Sequence, residues 1–240
     1  MLLNPAMSAA LDRIAERAAD VRRAFTPGAL PRHDDVAASS DRSEFTLDPL
    51  SVAAPEGAYF ITRDARGRSS YARDGSFSIA QGRLVDARGF PVMGRTSPDA
   101  PLQELRVDAV DAELGRTRDL RVEPDGSLVY TRDAIEPRTG KRVANNVVAG
   151  RIALARFPAA SRLDTQDGRS FSAPEGVSPY TGLAGDGTFG TLAPMRRTHS
   201  RVDLDVSLLR LKDAYTAFDA LAAAESAKGR FVKAAMDVVK

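Results

Sequence analysis

Gly185-Asp186-Gly187-Thr188-Phe189-Gly190 spells Gly-x-Gly-x-x-Gly, the spacing that brings backbone N–H groups up to a pyrophosphate. Such a loop works between a strand and a helix, whose N-terminus adds the positive end of its dipole. Here Thr191-Leu192-Ala193-Pro194 follows, and Pro194 opposes a helix. Phosphate binding is therefore not expected. Asp186 between glycines also invites a calcium reading, but the Asp-x-Asp-x-Asp-Gly loop with its distal Glu is missing. Asp74-Gly75, Asp125-Gly126, Asp167-Gly168 and Asp186-Gly187 read alike as Asp-Gly hairpin turns. His33 lies in the charged stretch Arg32-His33-Asp34-Asp35, and His199 stands just before the C-terminal helical pattern. Neither has a nucleophile or a metal-ligand partner in pattern, so both read as surface histidines. Arg66-Gly67-Arg68 and Met195-Arg196-Arg197 are basic spots without interleaved aromatics, which reads as solvated surface. No pair of carboxylates is singled out for hydrolysis, because spacing across a β fold is not readable from the chain. No catalytic residue, no cofactor site and no metal site is expected.

Composition narrows the function classes further. Cysteine is absent, which removes thiol catalysis, thiolate metal sites and disulfides. There are 34 basic against 32 acidic residues, so the surplus of two charges makes no footprint for nucleic acid. No run approaches the roughly 20 apolar residues of a membrane span, so no membrane insertion is expected. Met1-Leu2-Leu3-Asn4-Pro5 has neither the basic n-region nor the apolar h-region of a cleaved signal peptide.

The most regular pattern lies at the two ends. Apolar residues fall at Met7, Leu11, Ile14, Ala18, Val21 and Phe25, and again at Leu204, Leu208, Leu211, Tyr215, Phe218 and Ala222. Both series alternate steps of four and three, the seam of a helix that lies along another helix. The spacing predicts helices over 6–25 and over 202–240. Thr26-Pro27-Gly28 stops the first, and the second carries one breaker, Gly229. That second seam continues through Glu225 and Gly229 to Val232, Met236 and Val239, where it weakens. Residues 30–43 read as a polar linker.

Between the helices the pattern changes to short runs and turns. Ala58 to Thr62, Ser69 to Arg73, Ser76 to Ile79 and Arg83 to Val85 are separated by Asp64–Gly67, Asp74-Gly75 and Gln81-Gly82. Turns every eight to ten residues with Gly in the second position make a hairpin meander. A further β stretch runs over 102–163, where Asn145 to Phe157 is strongly β-branched and apolar. The expected fold is mainly β, an antiparallel domain of hairpins with N- and C-terminal helices forming a coiled-coil-like pair. Its expected parts are a helix and linker over 1–43, a β-rich domain over 44–195, and a C-terminal helix over 196–240 packing on the first.

Gly57-Ala58-Tyr59-Phe60, Tyr71-Ala72-Arg73-Asp74-Gly75-Ser76-Phe77-Ser78-Ile79, Gln81-Gly82-Arg83-Leu84-Val85 and Gly89-Phe90-Pro91-Val92-Met93-Gly94 follow one another along the chain. In sequence and in order they resemble the β motifs of the flagellar rod and hook proteins. Pro124-Asp125-Gly126-Ser127-Leu128, Ile152-Ala153-Leu154-Ala155-Arg156-Phe157 with Leu163, and Ser200-Arg201-Val202-Asp203 continue the likeness. Ala6-Met7-Ser8-Ala9-Ala10 resembles the opening of its first helix. The asparagine-rich segment usual after that helix is replaced by Ala18-Ala19-Asp20-Val21-Arg22-Arg23-Ala24-Phe25. The chain length and short linker lean towards a rod protein.

The resemblance implies a structural, non-enzymatic axial subunit of the bacterial flagellar basal body, in the periplasmic rod. It implies export through the flagellar type III apparatus without a cleaved signal. Its implied partners are further copies of itself and other rod and hook subunits. The seam residues given above would then be the subunit interface, and stacked subunits would transmit torque. The alternative is a β-rich periplasmic or surface binding module, an adhesin for example, with helical oligomerisation ends. An enzyme or carbohydrate-binding domain with such ends would need a pocket of convergent polar groups.

Overall fold

The computed structural model describes residues 4–29, 43–107, 117–135, 138, 140–158, 163 and 169–238. The fold is mainly β and antiparallel, with one helix at each end of the sequence.

Local chemistry explains both helices. Helix α1 spans Pro5–Ala24. The Asn4 side-chain oxygen accepts a hydrogen bond from the Ala6 N–H at 3.1 Å, and Pro5 stands at the start, where a missing N–H costs nothing. Arg22 and Arg23 occupy the last turn, against the negative end of the helix dipole. Helix α2 spans Leu204–Val238. The Asp203 carboxylate accepts from the Val206 N–H at 3.1 Å, and Ser200 Oγ accepts from the Val202 N–H at 3.1 Å. The Ser-Arg-Val-Asp segment is thus a turn feeding an N-cap.

Fifteen described strands separate the helices: β1 Ser43–Phe45, β2 Val52–Ala53, β3 Ala58–Arg63, β4 Ser69–Ala72, β5 Ser78–Ala80, β6 Arg83–Val85, β7 Met93–Arg95, β8 Gln103–Glu104, β9 Thr117–Val122, β10 Ser127–Ile135, β11 Arg142–Arg156, β12 Ser170–Phe171, β13 Tyr180–Leu183, β14 Ala193–Pro194 and β15 Arg196–Thr198. The main sheet runs β12-β4-β3-β11-β10-β9, with β13 and β7 also on β11 and β8 on β7. β11 is its spine. It pairs with β10 from Arg142 to Arg151, then passes between β13 and β3. Smaller pairings join β1 to β15, β2 to β14 and β5 to β6.

The apolar core is built on this spine. Phe60, Leu84, Leu105, Leu128, Ile152 and Leu154 are at most 1% exposed. The Phe60 and Phe77 rings meet edge to face with centroids 5.0 Å apart, an arrangement that adds to area burial. The β5–β6 hairpin turns on Gln81 (φ 51°) and Gly82 (φ 71°), the two left-handed residues of a tight hairpin turn.

The Asp-Gly pairs divide into two kinds. Gly126 (φ 82°) and Gly187 (φ 87°) are left-handed turn residues, as expected. Gly75 is not: a Cβ there would fall 1.9 Å from the Val52 carbonyl oxygen and 2.8 Å from the Phe60 ring. It is glycine because the backbone passes against a core ring, a reason the dipeptide does not reveal. Asp167-Gly168 lies outside the described residues.

The chain forms two compact units. The helices make up one; Thr26–Ala29 and the strands make up the other.

Candidate functional site

In the helical unit, Asn4 Nδ2 donates to Glu225 Oε2 at 3.4 Å. Arg17 of α1 shares a groove with residues of α2 no later than Leu221. Helix α1 therefore starts level with Glu225 and runs back towards the start of α2: the two are antiparallel neighbours. The groove encloses about 530 Å³. Its walls are Ala6, Ala9, Ala10, Arg13 and Arg17 on one side and Arg210, Asp213, Ala214, Ala217 and Leu221 on the other. Half of its lining is alanine, with cations towards one end. Asp20, 5% exposed, lies between Arg17 (3.8 Å) and Arg23 (3.5 Å) near the end of α1.

The expected seam residues fall into two groups. Ile14 is buried, and Met7, Ala18, Val21, Leu204, Leu211, Phe218 and Ala222 are half-buried. Leu11 is 40% exposed, Phe25 72%, Leu208 46% and Tyr215 51%. The shielded positions of α1 run Met7, Ala10, Ile14, Arg17, Val21, and those of α2 run Leu204, Ser207, Leu211, Ala214, Phe218. Both step by three and then four. At alternate positions the smaller upstream neighbour is shielded and the large apolar residue stays outside: Ala10 for Leu11, Ser207 for Leu208, Ala214 for Tyr215. Each such change moves the contact by one residue, roughly 100° around the helix. Beyond Glu225, α2 continues with every residue from Lys228 to Met236 exposed, including Phe231 (78%), Val232 (51%) and Met236 (67%). Val239 lies outside the described residues.

The β unit accounts for the chemically suggestive residues. Asp186 turns back into its own glycine-rich loop and accepts the N–H groups of Leu183 (2.9 Å), Thr188 (3.0 Å) and Phe189 (3.0 Å). Burial pushes its carboxyl up, but those three donors and the Arg151 charge outweigh it and hold it below the ordinary carboxylate value. The donors a phosphate would need are thus occupied by the loop's own carboxylate. The strand β14 follows in place of a helix. Asp125 is likewise pushed up by burial and pulled lower overall by Ser127 and Arg151. His199 Nε2 lies 3.2 Å from Glu44 Oε2, both about half exposed, beside the β1–β15 ladder. Arg196 donates to Ser43 Oγ and to the Ser43 carbonyl, both at 2.9 Å. His33 lies outside the described residues.

A second cleft of about 530 Å³ opens in this unit beside Ser69, Ser70, Tyr71, Ser170 and Ser172. Its cations are committed: Arg68 to Asp64 at 2.9 Å, and Arg88 to Asp86 at 2.6 Å while lying over the Phe90 ring. Burial raises the Tyr71 phenol above its usual value. Among the described residues no group of three or more acidic, His or Cys side chains is placed to hold a metal ion, and no helix is long and apolar enough to cross a membrane. No protein-family model matches the chain, and no curated protein does either.

Proposed function

We propose that this chain is a structural axial subunit of the bacterial flagellar basal-body rod, assembling helically through its terminal helices and transmitting torque. The observation that carries the reading is the antiparallel pairing of the two sequence ends into a unit of their own. An enzyme has no need to bring its two sequence ends together apart from its β domain. A tube-forming subunit does, because paired ends give every copy the same side-by-side contact. The large apolar residues left outside the shielded rows, Leu11, Leu208 and Tyr215, support it, since large apolar side chains held in water are useful where a further copy covers them. The ordered β motifs resembling rod and hook proteins give the direction. In this reading the β unit forms an outer wall and takes no part in chemistry.

The test is where the native protein resides. Copurification with hook–basal bodies, and loss of motility on deletion with restoration by the intact gene, are the expected results. A deletion strain that swims normally on complete basal bodies would overturn the reading.

A further inference from the structure

The exposed end of α2 differs in charge from the rest of the same helix. Over 204–225 there are four acidic residues (Asp205, Asp213, Asp219, Glu225) against two basic, Arg210 and Lys212. Over 226–238 there are three basic residues (Lys228, Arg230, Lys233) against one acidic, Asp237. The helix dipole does not explain this. Cations that serve it sit in the last turn, and the last turn of α2 has none. The basic end is also apolar: Phe231, Val232 and Met236 are all more than half exposed. At a rise of about 1.5 Å per residue, the 13 residues after Glu225 extend roughly 20 Å past the Asn4 cap of α1.

A matching surface exists on the first part of α2. Asp205, Leu208, Lys212, Tyr215 and Asp219 step by three and four, so they lie in one row. Leu208 and Tyr215 are exposed at 46% and 51%, with an acidic residue at each end of the row. The α1–α2 groove is a poorer seat for a basic segment, because its lining carries Arg13, Arg17 and Arg210 and one acidic residue, Asp213.

Resting on the rod reading, we propose that residues 226–238 of one copy dock on the Asp205–Asp219 row of the next. The occupant is a second copy of this chain. The contact joins two different patches, so it does not close on a dyad and propagates in one direction. Opposite charge at tail and seat fixes that direction and disfavours tail-to-tail pairing.

The full chain tests this in sedimentation velocity over a range of concentrations. The wild type associates progressively, and less so in 1 M salt. K228E/K233E associates roughly tenfold more weakly, as does D205K/D219K, because two exposed attractions each become repulsions. Mixing the two variants restores association, since each reversed tail then finds a reversed seat. F231S also weakens it, with the helical circular dichroism signal retained. A wild type that stays monomeric, a K228E/K233E chain that associates like wild type, or folded variants that fail to recover on mixing would each overturn the inference. Those results leave the rod reading standing. A motile deletion strain would sink that reading without touching head-to-tail association in solution.

Discussion

Asn4 and Glu225 meet across 3.4 Å although 221 positions separate them in sequence. The same Asn4 side chain accepts the Ala6 N–H, so one residue both starts α1 and sets its level on α2. Its two tasks differ in weight. The cap satisfies a backbone donor that would otherwise have no intrahelical partner; the contact with Glu225 is exposed and long.

Asn4→Ala should therefore destabilise the helical unit by about 1 kcal/mol, whereas Glu225→Ala should change it by less than about 0.5 kcal/mol. Amide exchange in the first turn of α1, measured for both variants, checks the ranking. Equal effects would mean that the interhelical contact, not the cap, is the stabilising element.

Gly28 adopts φ +67°, and a Cβ there would lie 2.7 Å from both the carbonyl carbon and Cβ of Arg73. Gly67 adopts φ +78° with nothing within 4 Å of its Cβ position. Gly67→Ala should cost only the left-handed backbone penalty, about 1 kcal/mol. Gly28→Ala adds a backbone clash and should cost roughly 2–4 kcal/mol. Urea denaturation of the two variants separates the terms, and a Gly28→Ala chain as stable as Gly67→Ala would contradict the geometry.

Asp186 carries the pH dependence of its loop. Its folded pKa lies below the ordinary carboxylate value, which is about 3.9. The unfolded chain therefore takes up the proton first as pH falls. The stabilisation is present above the unfolded value and is lost as pH drops through the lower folded one. Asp186→Asn should lose that part of the acid limb while remaining folded at neutral pH. Asp186→Ala, leaving the loop donors to water, should cost about 1–2 kcal/mol at pH 7. Denaturant titrations between pH 2 and 7 read both; an unchanged acid limb in Asp186→Asn would refute the assignment.

Deleting residues 1–25 removes α1, while every strand pairing among the described residues lies between residues 43 and 198. The truncated chain should keep its β-sheet circular dichroism signal and lose assembly. Loss of the β signal would count against the two-unit organisation.

The helices and hairpins were legible in the chain because their causes are local. A cap, a proline at the first turn, a three-four repeat and a left-handed glycine all act within a few residues. That is why α1 at Pro5–Ala24 and α2 at Leu204–Val238 lie within two residues of the expected bounds. That no helix follows the glycine-rich loop was also legible, since Pro194 opposes one and β14 stands there.

Other features depended on contacts between distant segments. The repeat marks an apolar stripe on each helix but not which side of the stripe is shielded. Leu11 and Ala10, or Tyr215 and Ala214, are only one residue apart, and the shielded member of each pair is the smaller one. The place of β11 at the centre of the sheet, and the pressure of Val52 and Phe60 on Gly75, arise between strands whose meeting no local spacing encodes. Sequence alone determined that two helices bracket a hairpin-rich chain. Tertiary structure decided which faces they hide and how far α2 outreaches α1, because those follow from the volumes and charges that meet once the ends come together.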